Sequence, residues 1–220
     1  MTLQYFGHPF SSYTWKGEIA LIEKGVDYDF RNVDPEYPDN AAELGKHSPT
    51  GKFPLLIDGD QVLFESSIII EYLDHRYPQA PQLIPSDFEQ ALQVRLMDRM
   101  FDNHVMSNMQ AIVAEHIPFV TATPDPMRIE RAKAALLKIY HWLEDQLSNE
   151  EWACGEDFTL ADCAAAPSLF YTDWVQEIPE ELVNLKAYRT RLLARPSVKQ
   201  VVDAARPYRS YFPPGAPDRD

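Results

Sequence analysis

Glycine and cysteine are both scarce in this 220-residue chain, at 8 and 2 residues. Two cysteines, Cys154 and Cys163, cannot build a disulfide framework, and no CxxC or Cys/His spacing suggests zinc. So few glycines beside 18 prolines exclude a flexible low-complexity chain and point to sharply ended elements. Positive charge is short as well: 20 Lys and Arg face 34 Asp and Glu, a formal charge of −14. Nucleic acid and anionic membrane surfaces call for clustered Lys and Arg, so neither is expected as a partner. No apolar run approaches the roughly 18 residues of a membrane span; stretches such as Ser67–Ile70 are far shorter. The opening MTLQYFGHPFSS lacks the basic-then-apolar pattern of a secretory signal. The expectation is a soluble protein of a reducing, cytoplasmic compartment.

What is present is ordinary for a globular protein, with 45% hydrophobic and 25% charged residues in a length that allows one or two domains. Leu3–Gly7 reads as a strand. From Tyr13 to Lys24, Trp15, Ile19 and Ile22 recur at helical spacing, with Gly25 as a stop. Val26, Tyr28 and Phe30 alternate with charged residues, the pattern of a half-buried strand. Asp34–Thr50 reads as turn-rich and without period. Phe53–Ile57 and Gln61–Phe64 flank Asp58-Gly59-Asp60, a hairpin signal, and Ser66–Tyr77 is helical. The order β-α-β, loop, β-β-α predicts a four-stranded mixed sheet covered by helices.

Beyond about residue 80 the pattern is helix after helix. Leu92, Leu96, Met100 and Val105 mark the core face expected in Glu89–Glu115, and Pro126–Leu147 carries a second single-faced set. Thr159-Leu160-Ala161-Asp162 is a capping box, and Pro167 predicts a kink in the helix it opens. Pro179–Ala194 and Ser197–Ala205 supply further helices, and the tail from Pro207 reads as irregular with a disordered end. The expected division is an α/β unit at 1–80, a linker at 81–88 and an all-α unit at 89–220.

Three places can carry chemistry. Ser11 and Ser12 stand where the first strand gives way to the first helix; there a hydroxyl either caps the helix or donates to an anion. No His/Asp pair nearby is placed to activate either as a nucleophile. Phe53-Pro54 is a strand start or, with a cis bond, a backbone edge open to an extended peptide. Glu65-Ser66 is a cap or a carboxylate site at a helix N-terminus.

The blocks GHPFSSYTWKGEIALIEKG, SPTGKFPLLIDGDQVLFESSIIIEYLD and GEDFTLADCAAAP resemble cytosolic-type glutathione transferases over nearly the whole chain. The likeness is to a serine-type, bacterial-like member. It implies a thioredoxin-like first domain, an all-helical second domain, a homodimer, and glutathione as co-substrate without a metal. By motif, Glu65 and Ser66 would hold the γ-glutamyl end. Phe53, before Pro54, would pair its backbone with the cysteinyl unit, and Lys52 would reach the glycyl end. Ser11, with Ser12 as its competitor, would face the thiol. A small hydrophobic electrophile would sit against Phe10, Tyr13, Met106 and Met109.

The chain departs from the family pattern at Lys16-Gly17, where Arg-Val is common, and at Phe53, where Val is common. No cysteine stands at residues 10–14, which argues against glutaredoxin-like or dehydroascorbate-reductase chemistry. The alternatives are a non-catalytic binding or regulatory module on the same fold, and a specialised glutathione-dependent isomerase, dehalogenase or ether-cleaving enzyme.

Overall fold

The computed structural model describes residues 2–220. Its sheet has four strands in the order β2-β1-β3-β4, formed by β1 (Leu3–Gly7), β2 (Tyr28–Asn32), β3 (Leu55–Asp58) and β4 (Gln61–Phe64). β1 runs parallel to β2 and antiparallel to β3, and β3 and β4 form the hairpin around Gly59. Helix α1 (Ser12–Glu23) is the crossover, α2 (Pro38–His47) fills the connection to β3, and α3 (Ser66–Arg76) follows β4. The mixed sheet expected from the strand order is therefore present. Region 34–50 differs from expectation, because it contains α2. That helix buries only Leu44 and otherwise faces water, so it carries no apolar period to read.

The rest is helical: α4 (Phe88–Met100), a π-helical turn (Phe101–Met106), α5 (Ser107–Ala114), α6 (Pro126–Gln146), α7 (Leu160–Val175), α8 (Val183–Ala194) and α9 (Pro196–Ala205). Helix α7 is the hub. Its small-residue stretch Ala164–Pro167 and the following aromatics are all buried, and it runs through Pro167 as one helix. Thr159 and Asp162 close the capping box at its start, with the Asp162 carboxylate accepting from the Thr159 N–H at 2.8 Å.

Helix α1 packs between α3 and α7, its Trp15 ring 4.9 Å from Phe170 and 5.1 Å from Tyr171. Arg195, leading into α9, forks onto Glu23 of α1 at 2.6 and 2.7 Å. These contacts fix the first helix, and the serines at its mouth, against the helical half.

Two expectations are corrected. Leu92 and Leu96 are 51% and 48% exposed, and the inward face of α4 is Ala91, Val94 and Met97. Sequence periodicity finds apolar stripes but cannot tell which of two faces the core. The tail is also ordered: Arg206–Tyr211 forms a 3-10 turn, and ion pairs from Arg206 and Arg209 hold Asp220. Among the described residues, no helix is long and apolar enough to cross a membrane.

Candidate functional site

Ser11 is the N-cap of α1, and its Oγ accepts from the Thr14 N–H at a long 3.4 Å. Among the described residues its hydroxyl proton has no acceptor, so it remains available to the cleft. The loop before it is tightly held. Ser11 N–H donates to the His8 carbonyl at 2.9 Å, and Phe10 N–H donates to His8 Nδ1 at 3.1 Å. Burial holds the His8 pKa below its ordinary value, opposed by Asp34, which suits a neutral ring accepting at Nδ1. Ser12, one residue on, is buried.

Three further segments reach the same cleft, of about 490 Å³, that Ser11 lines. The Phe53-Pro54 bond is cis, and Phe53 N–H and C=O make no backbone hydrogen bond among the described residues. Lys52 is exposed, its carbonyl anchored by the Ser48 hydroxyl at 3.0 Å. Glu65 has φ of +70°, a left-handed conformation that is rare for a side-chain-bearing residue and concentrates at functional sites. It opens α3, leaving the first helical amides, including that of buried Ser66, unpaired toward the cleft. Ser11, Lys52, Phe53, Pro54, Glu65 and Ser66 thus line one space.

Residues that sequence reasoning missed complete it. The wide π-helical turn presents Asp102 and Asn103 to the cleft, as such turns often do at functional sites. Behind them lies a buried charge cluster. Lys16 Nζ donates to Asp102 at 2.6 Å, to Ser67 at 2.8 Å, and to Asp98. Arg99 adds a second cation, donating to Asp102 at 3.0 Å and to Asp98 and Ser67 at 2.5 Å. Burial raises the Asp102 pKa, with Lys16 opposing. Asp98 and Asp102 lie four residues apart on an otherwise apolar helix face, and that polar pair was the available signal. Tyr13 also lines the cleft; burial, then the charge of Asp102, pushes its pKa up to about 12, so it stays a neutral hydroxyl.

A second cleft of about 650 Å³ opens beside the first and shares Ser11, Tyr13, Lys52 and Gln110 with it. One wall is aromatic, from Phe10, Tyr171, Tyr211 and Phe212, and the other is aliphatic, from Met109, Val113, Ile117 and Val120. Of the two methionines expected here only Met109 faces the cleft. Met106 is 1% exposed and packs in the core, at the end of the π turn that lies against α7. Neither cysteine lines either cleft; burial pushes the Cys154 thiol up to about 12 and also raises that of Cys163. Among the described residues no group of three or more His, Cys, Asp or Glu is placed to hold a metal.

Two family models match the chain. The glutathione S-transferase N-terminal domain matches residues 6–81, and the glutathione S-transferase C-terminal domain matches residues 108–196. A stringent starvation protein A homologue of Coxiella burnetii is 30% identical, covering 90% of each chain.

The chain belongs to the glutathione S-transferase family.

Among its relatives, glutathione S-transferase PARB of Nicotiana tabacum is 27% identical over 90% of this chain and 95% of its own. A solved glutathione S-transferase of Methylobacillus flagellatus with glutathione bound superposes with a TM-score of 0.79. It is 29% identical, covering 91% of this chain and 98% of that one. The four-stranded sheet followed by helices is the fold the chain shares with that solved structure.

Proposed function

We propose that this member of the family is a glutathione transferase, in which Ser11 stabilises the glutathione thiolate for attack on a small hydrophobic electrophile. The observation that carries the reading is the meeting of Ser11, Lys52, Phe53-Pro54 and Glu65-Ser66 on one cleft that opens into an apolar one. Glu65, Ser66 and the free amides of α3 hold the γ-glutamyl group. Phe53 offers unpaired backbone groups to the cysteinyl unit, and Lys52 faces the glycyl carboxylate. Ser11 is preferred to Ser12 because it lines both clefts, whereas Ser12 is buried and touches only the second.

A thiol of pKa about 8.5 must have its pKa lowered by roughly 1.5 to be half ionised at neutral pH, about 2 kcal/mol. A hydrogen bond to a charged group contributes about 1.5–3 kcal/mol. The Ser11 hydroxyl beside a helix N-terminus therefore suffices without a general base. The thiolate sulfur then forms a bond to the electrophilic carbon, and the leaving group departs with the electron pair. Ser11→Ala should raise the apparent pKa of bound glutathione by about 1 or more. Thiolate absorbance against pH reads this, while calorimetric titration shows glutathione still binding. An unchanged pKa and rate would remove Ser11 from the role.

The stringent starvation protein A homologue among the relatives favours a second reading, a non-catalytic binding or regulatory module. Glutathione binding of millimolar strength or weaker, with no turnover of any electrophile, would select it. A panel of halogenated and aryl-ether compounds separates simple conjugation from a specialised lyase, dehalogenase or isomerase activity. As an enzyme of this kind, the protein works as a cytoplasmic homodimer.

A further inference from the structure

The tail contributes a wall to the second cleft, and that wall is held by charge. Phe212 is 5% exposed and sits in a box of aromatic rings, 5.1 Å from Trp174, 6.2 Å from Tyr171 and 6.5 Å from Phe10. Phe10 immediately precedes Ser11, so the tail touches the loop that carries the proposed thiolate partner. Beyond Phe212 the chain turns back at Gly215, φ +89°, whose N–H donates to the Phe212 carbonyl at 2.9 Å. The returning strand is then tied at two points. Asp220 accepts from Arg206 at 2.5 and 3.0 Å and from Arg209 at 3.1 Å. Arg219 donates to the Asp173 carbonyl of α7 at 2.8 Å and pairs with its carboxylate at 3.4 Å. Arg209 meanwhile lies over the Trp174 ring, 4.9 Å from its centroid.

These ties share two features. They form a connected network, in which each arginine already ordered by one partner loses less entropy in meeting the next. Their side chains are also partly open to water, so salt screens them. Arg209 also donates to the Pro217 carbonyl at 2.9 Å and to the Arg219 carbonyl, so residues 213–220, none of them fully buried, are held chiefly by arginines.

We propose that Arg206–Asp220 is an ion-pair-latched wall that selects the electrophile, with Phe212 and Tyr211 as its specificity-determining side chains. Latched, the wall presents ring faces opposite the aliphatic side formed by Met109, Val113 and Val120, a slot suited to a flat aryl group. A small alkyl electrophile fills too little of the slot to draw on that wall. The inference rests on the transferase reading above for its substrate.

The test compares wild type with an Asp220→Ala/Arg219→Ala variant and with Phe212→Ala. The aryl probe is chlorodinitrobenzene, and the alkyl probe is iodoethane. Both variants should raise KM for chlorodinitrobenzene by about tenfold, and in the double-charge variant KM for iodoethane and the Kd of glutathione should stay within about twofold. In wild type, raising NaCl from about 0.05 to about 0.5 M should weaken chlorodinitrobenzene use and speed tryptic cleavage after Arg209. The double-charge variant should be cleaved fast at both salt levels. An aryl KM that moves less than twofold, or glutathione affinity that falls in parallel in the double-charge variant, overturns the proposal. Should wild type conjugate neither probe, the transferase reading fails by itself. The wall is then judged by the preference for the dinitrophenyl over the ethyl conjugate of glutathione in titration. Loss of that preference in the variants supports the wall, and an unchanged preference overturns it.

Discussion

Glycine inside a helix costs about 1 kcal/mol relative to alanine, so Gly17 in the middle of α1 needs a reason. The reason is Tyr5. A Cβ at residue 17 would lie 2.3 Å from the Tyr5 hydroxyl, a fully buried group that donates to the Thr14 carbonyl at 2.7 Å. The strand beneath the helix therefore dictates the residue. Gly17→Ala should destabilise the fold by about 1–3 kcal/mol, the usual range for overpacking, despite its better helix propensity. Adding Tyr5→Phe should recover part of that loss, as urea unfolding midpoints would show. Equal stability of Gly17→Ala and wild type would mean that the sheet yields. Its neighbour Lys16 follows the same logic with charge: a fully buried lysine is tolerable because two aspartates and a serine surround its ammonium. In the sequence both residues stand out only as departures from Arg-Val; their partners lie in β1 and in α4 with its π turn, and no local pattern names them.

At the scale of elements, the loop from β1 to α1 depends on one neutral imidazole. His8 accepts from Phe10 N–H, gives its carbonyl to Ser11 N–H, and packs against Tyr208 of the tail at 4.7 Å. Burial lowers its folded-state pKa, so at mildly acid pH the unfolded chain binds the proton more readily. Stability from this group is then complete above the unfolded value of about 6.5 and is lost as pH falls through it. Protonation also removes the Nδ1 acceptor on which Phe10 relies. Melting temperature should drop between about pH 7 and pH 5 more steeply for wild type than for His8→Asn, whose side-chain oxygen accepts without titrating. Parallel curves would exclude His8 as the source.

The elements themselves divide by what a sequence can encode locally. Strands, the hairpin at Gly59 and the capping box at Thr159 announce themselves through alternation, turn residues and spacing, and they carry the fold class. Helix α2 was invisible because a helix that buries one leucine has no stripe. Asn103 and Gln110 leave no trace of their place in the site, because the π turn and the packing of α4 and α5 against α7 aim them and neither has a signature in a single chain; Asp102 shows only as half of the Asp98/Asp102 pair.

For the whole molecule, the same α4 that misleads periodicity bears on assembly. Its outward leucines, Leu92 and Leu96, share a surface with Ile68 of α3, which is 50% exposed, across the Arg95–Glu71 ion pair that joins the two helices. With exposed Phe64, which also borders the first cleft, this is the apolar face available to the proposed homodimer. A body of charge −14 repels a second copy at long range, so association must draw on a short-range apolar contact. A fully buried leucine contributes about 1.5–3 kcal/mol, and these half-exposed ones contribute roughly half of that. In a two-fold contact each residue counts twice, so Leu92→Glu/Leu96→Glu removes several kcal/mol and places four further like charges at the junction. Sedimentation should therefore find the double variant monomeric at concentrations where wild type is dimeric, with the dimer partly restored at high salt. Because Phe64 lies at both the face and the cleft, the monomer should also bind glutathione more weakly. A double variant that stays dimeric would assign the interface to another surface and leave the two leucines as solvent-facing residues of α4.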